Sequence, residues 1–254
     1  MLLHHTELGA GPPLVVLHGL LGSHQNLLPV CRPLAAQFRV FAVDLRNHGR
    51  SPHRDVMDYA AMAEDVDRFL QTHDLAAAHV LGHSMGGKTA MQLALHHPQR
   101  VDRLIVADMS PRAAGPRFAK LLQTLRALPV AEFRSRHAAD AALAPAVPDE
   151  AVRQFLLKNL VPDGRGGHRW RAHLEGIAAN YDRLREAVDS AIPFTGPALF
   201  IRGGRSDYIG AEDELEIHRL FPAAEIRTLP DAGHWVHVDA PAAFAAAVRE
   251  FLTR

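Results

Sequence analysis

The chain has 254 residues, of which 48% are hydrophobic and 22% are charged. These values are typical of one large globular domain, or of a domain with a sizeable insertion, that buries a core of its own. The 28 lysines and arginines balance the 28 aspartates and glutamates, so the formal net charge is zero. This balance lacks the basic footprint of proteins that bind nucleic acid or anionic membranes, and we expect neither partner.

The single cysteine and the N-terminus bear on location. Cys31 is the only cysteine, so no disulfide can form within the chain, which fits a reducing compartment. The first seven residues lack the basic and apolar regions of a secretory signal. No apolar run approaches the roughly 18 residues that span a bilayer. We expect a cytoplasmic protein that is a monomer or a small homo-oligomer.

Short apolar runs alternate with helical patterns along the chain. The runs predict strands that are buried on both faces of a parallel sheet, and they cover residues 14–17, 38–43, 80–81, 104–107 and 198–201. Residues 225–229 form a last strand-like segment, and helical patterns cover 58–73, 85–97, 212–221 and 242–252. This alternation predicts an α/β fold with a mostly parallel central sheet flanked by helices. Ligands of such sheets bind at the carboxyl ends of the strands.

The alternation of predicted strands and helices stops between about residues 112 and 192. This segment is rich in Ala, Arg and Leu, and proline and glycine divide it into short helical pieces. Roughly 80 residues is too long for a loop in a compact domain. We therefore predict a helical cap at 112–192 that is inserted into a core formed by 1–111 and 193–254. The alternative is a series of ordinary crossover helices.

The segment Gly82-His83-Ser84-Met85-Gly86 matches the G-x-S-x-G pattern. An apolar strand precedes it and a helical stretch follows at once, which is the strand–turn–helix setting that exposes a nucleophilic serine. The residues two before and two after the serine crowd each other in such a turn, so both must be small. Ser84 is therefore the candidate nucleophile.

Two backbone N–H groups are candidates for an oxyanion hole. The new helix begins at the serine, so the Met85 N–H and the positive end of the helix dipole face the reacting centre. The loop His18-Gly19-Leu20-Leu21-Gly22 follows the first buried strand, and Leu20 is its most suitable donor. We expect His18 to fix this loop rather than to carry a proton.

A serine hydroxyl needs a base, and position singles one out among 17 histidines. His234 lies in a turn after the last strand and before the final helix. In hydrolases with this kind of serine turn, the chain order is serine, acid, histidine, which favours His234; His237 is the alternative. Neither His4-His5 nor His96-His97 has metal-ligand spacing, and we predict no metal.

The acid has two candidates. Asp207 follows the penultimate predicted strand, 27 residues before His234, and Asp108 ends the preceding strand. Both lie near the same edge of the sheet, and either carboxylate can hold the imidazole in its productive tautomer. Spacing alone favours Asp207 by a small margin.

Taken together, the motifs resemble those of the small α/β-hydrolase esterases often called YbfF-like. The likeness covers about 1–112 and 193–254, and it rests on His18-Gly19-Leu20-Leu21-Gly22-Ser23, Asp44-Leu45-Arg46-Asn47-His48-Gly49-Arg50-Ser51, Gly82-His83-Ser84-Met85-Gly86-Gly87-Lys88, Asp108-Met109-Ser110-Pro111 and Gly233-His234-Trp235-Val236-His237. The resemblance implies an α/β-hydrolase fold and hydrolysis of short carboxylic esters or acyl thioesters without a cofactor. It also implies that the aspartate of an Asp-x-Ser/Ala-Pro segment can serve as the triad acid, which makes Asp108 and Asp207 equal candidates.

The substrate of such an enzyme is a small ester or thioester, and its contacts are expected in the loops around the serine. These residues are His18, Leu21, Ser206 and Trp235. Arg112 and Arg117, near the start of the predicted cap, either attract an acidic acyl or CoA group or lie on the surface. Carbon–carbon bond hydrolysis, cofactor-free haloperoxidase activity and a non-catalytic binding protein of the same fold are the alternatives to an esterase.

Overall fold

The computed structural model describes all residues from Met1 to Arg254. Nine strands are present: β1 (His5–Leu8), β2 (Pro13–Leu17), β3 (Arg39–Val43), β4 (Ala78–His83), β5 (Val101–Ala107), β6 (Leu160–Pro162), β7 (His168–Trp170), β8 (Ala198–Gly203) and β9 (Ala224–Leu229). The ten α-helices are α1 (His24–Leu34), α2 (Tyr59–Thr72), α3 (Met85–His96), α4 (Ala119–Ala127), α5 (Arg136–Leu143), α6 (Glu150–Leu157), α7 (Leu174–Ala179), α8 (Ala211–Leu220), α9 (Val236–Asp239) and α10 (Pro241–Leu252).

Seven strands form one sheet in the order β1-β3-β2-β4-β5-β8-β9. Only β1 runs antiparallel to its neighbour, and the other pairs are parallel. The structure confirms the predicted α/β-hydrolase fold, and the five apolar runs lie in sheet strands except for Phe38, which immediately precedes β3. The last strand-like segment, 225–229, lies within β9.

Helices cover both faces of the sheet, because successive side chains of the central strands point to opposite sides. One buried cluster joins the strands to α2, α3 and α8, and also includes residues of 112–192. The other joins the strands to α1 and α10. The carboxyl ends of β2, β4, β5 and β8 therefore meet at one edge of a rigid, doubly covered sheet.

Two elements at the N-terminal end were not predicted. Strand β1 is short and only partly buried, so it lacks an apolar run. Helix α1 contains Pro29 and Pro33, and proline is normally excluded from the interior of a helix. It is nevertheless stabilised at its start, where the Asn26 side chain accepts a hydrogen bond from the Ser23 N–H at 2.9 Å.

Residues 112–192, called the inserted segment from here on, lie between β5 and β8. They contain α4 to α7 and the small antiparallel sheet formed by β6 and β7. The two ends of the inserted segment are hydrogen bonded to each other and to residues next to them: the Ala114 N–H donates to the Arg185 oxygen at 2.8 Å, and the Val188 N–H to the Pro111 oxygen at 2.7 Å. No helix of the protein combines the length and the apolarity needed to cross a bilayer.

Candidate active site

Ser84 lies at the tip of the sharp turn between β4 and α3. Its backbone has φ 53° and ψ −118°, a conformation that costs a non-glycine residue on the order of 1–3 kcal/mol and that persists only where its surroundings enforce it. The enforcing contacts come from the two glycines. A Cβ atom on Gly82 would lie 2.1 Å from the Gly86 oxygen, and one on Gly86 would lie 2.5 Å from the Leu17 oxygen. Only glycine fits at either position.

His234 reaches the serine from the loop after β9. Its Nε2 atom lies 3.1 Å from Ser84 Oγ, and its Nδ1 atom lies 2.8 Å from Asp108 Oδ2. Because a carboxylate only accepts hydrogen bonds, the proton of the neutral ring is on Nδ1. Nε2 then accepts a hydrogen bond from the Ser84 hydroxyl, which is the arrangement that a general base requires.

Asp108 is fully buried, and each of its oxygens has a partner. Oδ1 accepts a hydrogen bond from the Gly203 N–H at 2.9 Å, and Oδ2 accepts one from the Ser206 hydroxyl as well as that from His234. These bonds supply the solvation that burial removes from the carboxylate. Asp108 is thereby held in one orientation at the end of β5, toward the imidazole.

Asp207, the other candidate acid, points away from the site. Its side chain is 74% exposed and forms an ion pair with Arg117 at 2.6 Å. The hydrogen bond from that guanidinium holds the pKa of the Asp207 carboxyl below its usual range. Of the two aspartates, the structure joins Asp108 to His234 and leaves Asp207 at the surface.

The predicted oxyanion donors lie on either side of the serine. Met85 is the first residue of α3, and its N–H belongs to the turn that has no acceptor within the helix. The Leu20 N–H donates to no acceptor within the protein. Its loop approaches the serine closely, since a Cβ on Gly19 would lie 3.3 Å from Ser84 Cβ.

The remaining predicted site residues divide into two groups. Leu21 and Trp235 line a groove that also contains Ser84 and His234. His18 borders the same groove, but its ring is engaged by the backbone: Nδ1 lies 2.8 Å from the Gly19 oxygen, and Nε2 accepts from the Leu45 N–H at 3.0 Å. Ser206 lies on the wall of neither cavity, and its hydroxyl instead donates to Asp108 Oδ2.

His237, the alternative base, is buried beside His83, with 4.6 Å between the ring centroids. Burial, with the nearby His234 as a smaller cause, lowers the pKa of His237 to about 4. Its ring is therefore neutral at pH 7, and no hydrogen bond joins it to the serine.

Two aromatic side chains that sequence reasoning missed hold His234 in place. The Tyr208 ring stacks on the His234 imidazole at 3.8 Å with an interplanar angle of 12°. His83 donates from Nε2 to the His234 carbonyl oxygen at 2.9 Å. The pattern G-x-S-x-G leaves the His83 position open, and nothing in the sequence around Tyr208 signals a contact with the imidazole.

His4, His24 and Asp44 form a separate cluster of titratable side chains. Their potential metal-ligating atoms lie within 4.8 Å of one another. The Asp44 oxygens accept hydrogen bonds from both imidazoles, at 3.0 and 2.9 Å, and from the N–H groups of His24 and Arg50. These bonds draw the carboxylate into the loop that follows β3. These contacts brace the loop that begins at Asp44.

The site contains two cavities that meet at Ser84. The inner cavity has about 450 Å³ of empty space and is lined by Ser84 and 13 further residues, among them Tyr59, Met85, Lys88, Phe118 and Tyr208. The outer groove has about 1760 Å³ of empty space, and His234 and Trp235 lie on its wall. Leu20 and Phe118 border both spaces.

Known proteins support this assignment of the fold. Residues 12–241 match the protein family described as alpha/beta hydrolase fold. The sn-1-specific diacylglycerol lipase ABHD11 of Mus musculus is 41% identical over 249 residues, which cover 95% of this chain and 81% of that protein. Esterase YbfF of Escherichia coli is 34% identical over 241 residues, covering 94% and 92% of the two chains.

A solved structure described as a marine microorganism esterase superimposes with a TM-score of 0.96 at 37% identity, covering 98% of this chain and 99% of that one. These relatives, named as esterases and lipases, confirm the expectation of a carboxylic ester hydrolase that resembles the YbfF esterase. The chain belongs to the α/β-hydrolase fold family.

Proposed function

We propose that the enzyme hydrolyses short-chain carboxylic esters through a covalent acyl-serine intermediate, with Ser84 as nucleophile, His234 as general base and Asp108 as the acid. The observation that carries this proposal is the continuous hydrogen-bonded line from Ser84 Oγ through His234 to Asp108 Oδ2. Stacking by Tyr208 and the buried bonds of Asp108 hold that line rigid. Asp207, exposed and paired with Arg117, is not assigned a step.

The first half of the reaction acylates the serine. Ser84 Oγ attacks the ester carbonyl carbon as His234 Nε2 takes its proton, and the negative charge of the tetrahedral intermediate falls on the carbonyl oxygen. The N–H groups of Leu20 and Met85 are our candidates for stabilising that oxygen, and removing one such donor typically costs about 2.7–4 kcal/mol. Asp108 stabilises the imidazolium that forms.

Departure of the alcohol completes the acylation, and hydrolysis of the acyl-enzyme then restores the serine. His234 gives its proton to the leaving alcohol oxygen, and the carbon–oxygen bond of the ester breaks. A water molecule that has transferred a proton to the same imidazole then attacks the acyl carbon. Collapse of the second tetrahedral intermediate releases the carboxylic acid and returns the proton to Ser84.

The position of the His234 imidazole also indicates which part of the ester each cavity holds. The leaving oxygen must lie next to His234, which lines the outer groove but not the inner cavity. We therefore assign the alcohol part of the ester to the groove and the acyl part to the inner cavity. The inner cavity is the smaller of the two spaces, about 450 Å³ against about 1760 Å³ for the groove, which favours a short acyl chain over a bulky one.

We propose that the inserted segment, residues 112–192, acts as a cap over the core formed by 1–111 and 193–254. Its residues Phe118 and Phe155 help to line the two cavities, and Phe155 packs against Trp235 with ring centroids 5.3 Å apart. The Asn159 amide donates to the Leu21 oxygen at 2.7 Å, which connects the cap to the loop of the candidate oxyanion donor.

The groove also supports a second class of substrate, esters with a bulky apolar alcohol such as an acylglycerol. Its wall includes Leu27, Leu121, Val152, Phe155 and Trp235, and the relatives named as diacylglycerol lipases act on such esters. An acyl-CoA thioester is less well supported. Lys158 is the only lysine or arginine on the wall, where Asp149 and Asp239 also lie, so the groove lacks a basic cluster for the phosphates of CoA.

A cytoplasmic location and a monomeric or small homo-oligomeric state complete the proposal. Cys31 is buried, and burial raises the pKa of its thiol to about 12, so this cysteine is protected from oxidation. Size-exclusion chromatography coupled to light scattering measures the oligomeric state.

The experiment that tests the proposed function is the hydrolysis of p-nitrophenyl esters from acetate to octanoate by the wild type and by Ser84→Ala. We expect the variant to lose at least about 10⁴-fold in kcat, since a triad serine and its base act as one unit. Ser190→Ala, which changes a half-buried loop serine outside both cavities, is the matched control. Equal melting temperatures verify the fold, and wild-type hydrolysis by Ser84→Ala would refute the mechanism.

A further inference from the structure

A buried lysine lies one helical turn after the candidate nucleophile. Lys88 is 1% exposed, and its ammonium donates to the backbone oxygens of Arg112 and Glu186, both at 2.6 Å. These two carbonyls belong to the two ends of the inserted segment. No carboxylate lies within ion-pair distance of the ammonium, so neutral acceptors are its only hydrogen-bond partners in the protein. An ammonium has three N–H donors, and one is left without a partner.

A charge buried without a counterion is costly. Two backbone carbonyls can be bridged by a neutral amide side chain, so the link between the ends of the inserted segment does not by itself require a cation. Desolvation lowers the pKa of Lys88 to about 8, which leaves the side chain mostly protonated at pH 7. Asp213, on α8, is the acidic group that acts on it from another element, at longer range and against this shift.

The lysine borders the cavity that contains Ser84. Lys88 and Ser84 are both on the wall of the inner cavity, and four residues of helix separate their positions by about 6 Å along the axis. The ammonium also lies 5.4 Å from the centre of the Tyr59 ring, on another wall of the cavity. Burial raises the pKa of the Tyr59 phenol, so this neighbour stays neutral and provides no negative charge.

The other cations of the inner cavity are already balanced. Arg117 pairs with Asp207 at 2.6 Å, and Arg185 pairs with Asp182 at 2.7 Å. No aspartate or glutamate lies on the cavity wall. The cavity therefore has an uncompensated positive charge at Lys88, on a wall that it shares with Ser84.

We propose that the inner cavity selects acyl groups that end in a carboxylate, so that monoesters of short dicarboxylic acids are preferred substrates and Lys88 is the residue that determines this specificity. The proposal rests on the proposed function, because the acyl group enters this cavity only if the ester is attacked by Ser84 with the alcohol on the His234 side. A substrate carboxylate would accept a hydrogen bond from the third N–H of Lys88 and would supply the missing counterion.

The test compares kcat/KM for monoethyl succinate and ethyl pentanoate, which have the same leaving group and acyl chains of similar length. Ethanol release is the readout for both. We expect the wild type to prefer the acidic ester, and the preference to fall about tenfold or more in Lys88→Gln and Lys88→Met, as loss of a charged hydrogen bond implies. Lys88→Gln keeps donors for the two carbonyls, so it removes the charge while retaining the bridge. Lys120→Met, at an exposed position on α4, is the matched control.

A wild-type preference for ethyl pentanoate would overturn the proposal without any variant. An unchanged preference in Lys88→Gln would overturn it as well and would leave Lys88 only the role of joining the two ends of the inserted segment. Failure of the proposed function is distinguishable, because it concerns hydrolysis of the neutral ester and its loss in Ser84→Ala.

Discussion

Replacing Asp108 by asparagine tests the choice of acid. The Gly203 N–H faces Asp108 Oδ1 at 2.9 Å, so the amide oxygen of the variant would occupy that position. The amide nitrogen would then face His234 Nδ1 and donate to it. The imidazole would carry its proton on Nε2 and would be unable to accept one from Ser84. In serine proteases the corresponding change lowers kcat about 10⁴-fold, which corresponds to about 5 kcal/mol of transition-state free energy.

The matched control is Asp207→Asn. This change breaks an ion pair in which the aspartate is 74% exposed, and exposed pairs contribute about 0–1 kcal/mol. We therefore expect kcat within about fivefold of the wild type. The assay is steady-state hydrolysis of p-nitrophenyl butyrate, with melting temperatures as a check of the fold. A larger loss in Asp207→Asn than in Asp108→Asn would refute our choice of acid.

Three further predictions concern other parts of the site. Gly86→Ala would place a Cβ 2.5 Å from a backbone oxygen, so we expect a lower melting temperature and a large loss of kcat. Gly210→Ala lies outside both cavities and would bring its Cβ no closer than 3.6 Å to another residue, so it should leave both nearly unchanged. Tyr208→Ala removes a stacked ring worth about 0.5–1.5 kcal/mol, so kcat should fall up to about tenfold, and Tyr208→Phe should restore it; equal rates for the two variants would contradict a role for the ring. Lys88 loses its proton as pH rises through its pKa of about 8. The preference for monoethyl succinate over ethyl pentanoate should therefore decline above that pH. A preference that grows with pH would contradict the role of the Lys88 charge.

The sheet was predictable because its strands are buried on both faces. Such strands have continuous apolar sequences, and residues 14–17 and 104–107 show this pattern without any knowledge of tertiary contacts. The turn at Ser84 was predictable for a related reason, since its geometry demands small residues at Gly82 and Gly86. In both cases the local sequence and the tertiary structure impose the same requirement.

Spacing could not separate Asp108 from Asp207, because the two aspartates follow adjacent strands at the same sheet edge. What separates them is the direction of each side chain. Asp108 is drawn inward by the Gly203 N–H and the Ser206 hydroxyl, whereas Asp207 is drawn outward by Arg117, which is 90 residues away in the sequence. Contacts of this range leave no periodic signal.

The environment of Lys88 could not be predicted from the sequence either. A lysine on the helix after the serine has no sequence feature that marks it as buried. Its burial results from the two ends of the inserted segment, at Arg112 and Glu186, which supply carbonyl acceptors from positions 24 and 98 residues away. Of the two arginines singled out near the start of this segment, Arg112 lies at the surface and pairs with Glu212 at 2.6 Å, and Arg117 pairs with Asp207 at 2.6 Å.

The central claim is that the hydroxyl of Ser84 becomes covalently acylated, and labelling with a fluorophosphonate tests it most directly. We predict that the wild type takes up one phosphonyl group per chain, that peptide mass spectrometry maps it to Ser84, and that labelling is abolished in Ser84→Ala and strongly slowed in Asp108→Asn. A stoichiometric adduct on any other residue, or undiminished labelling of Ser84→Ala, would contradict the account.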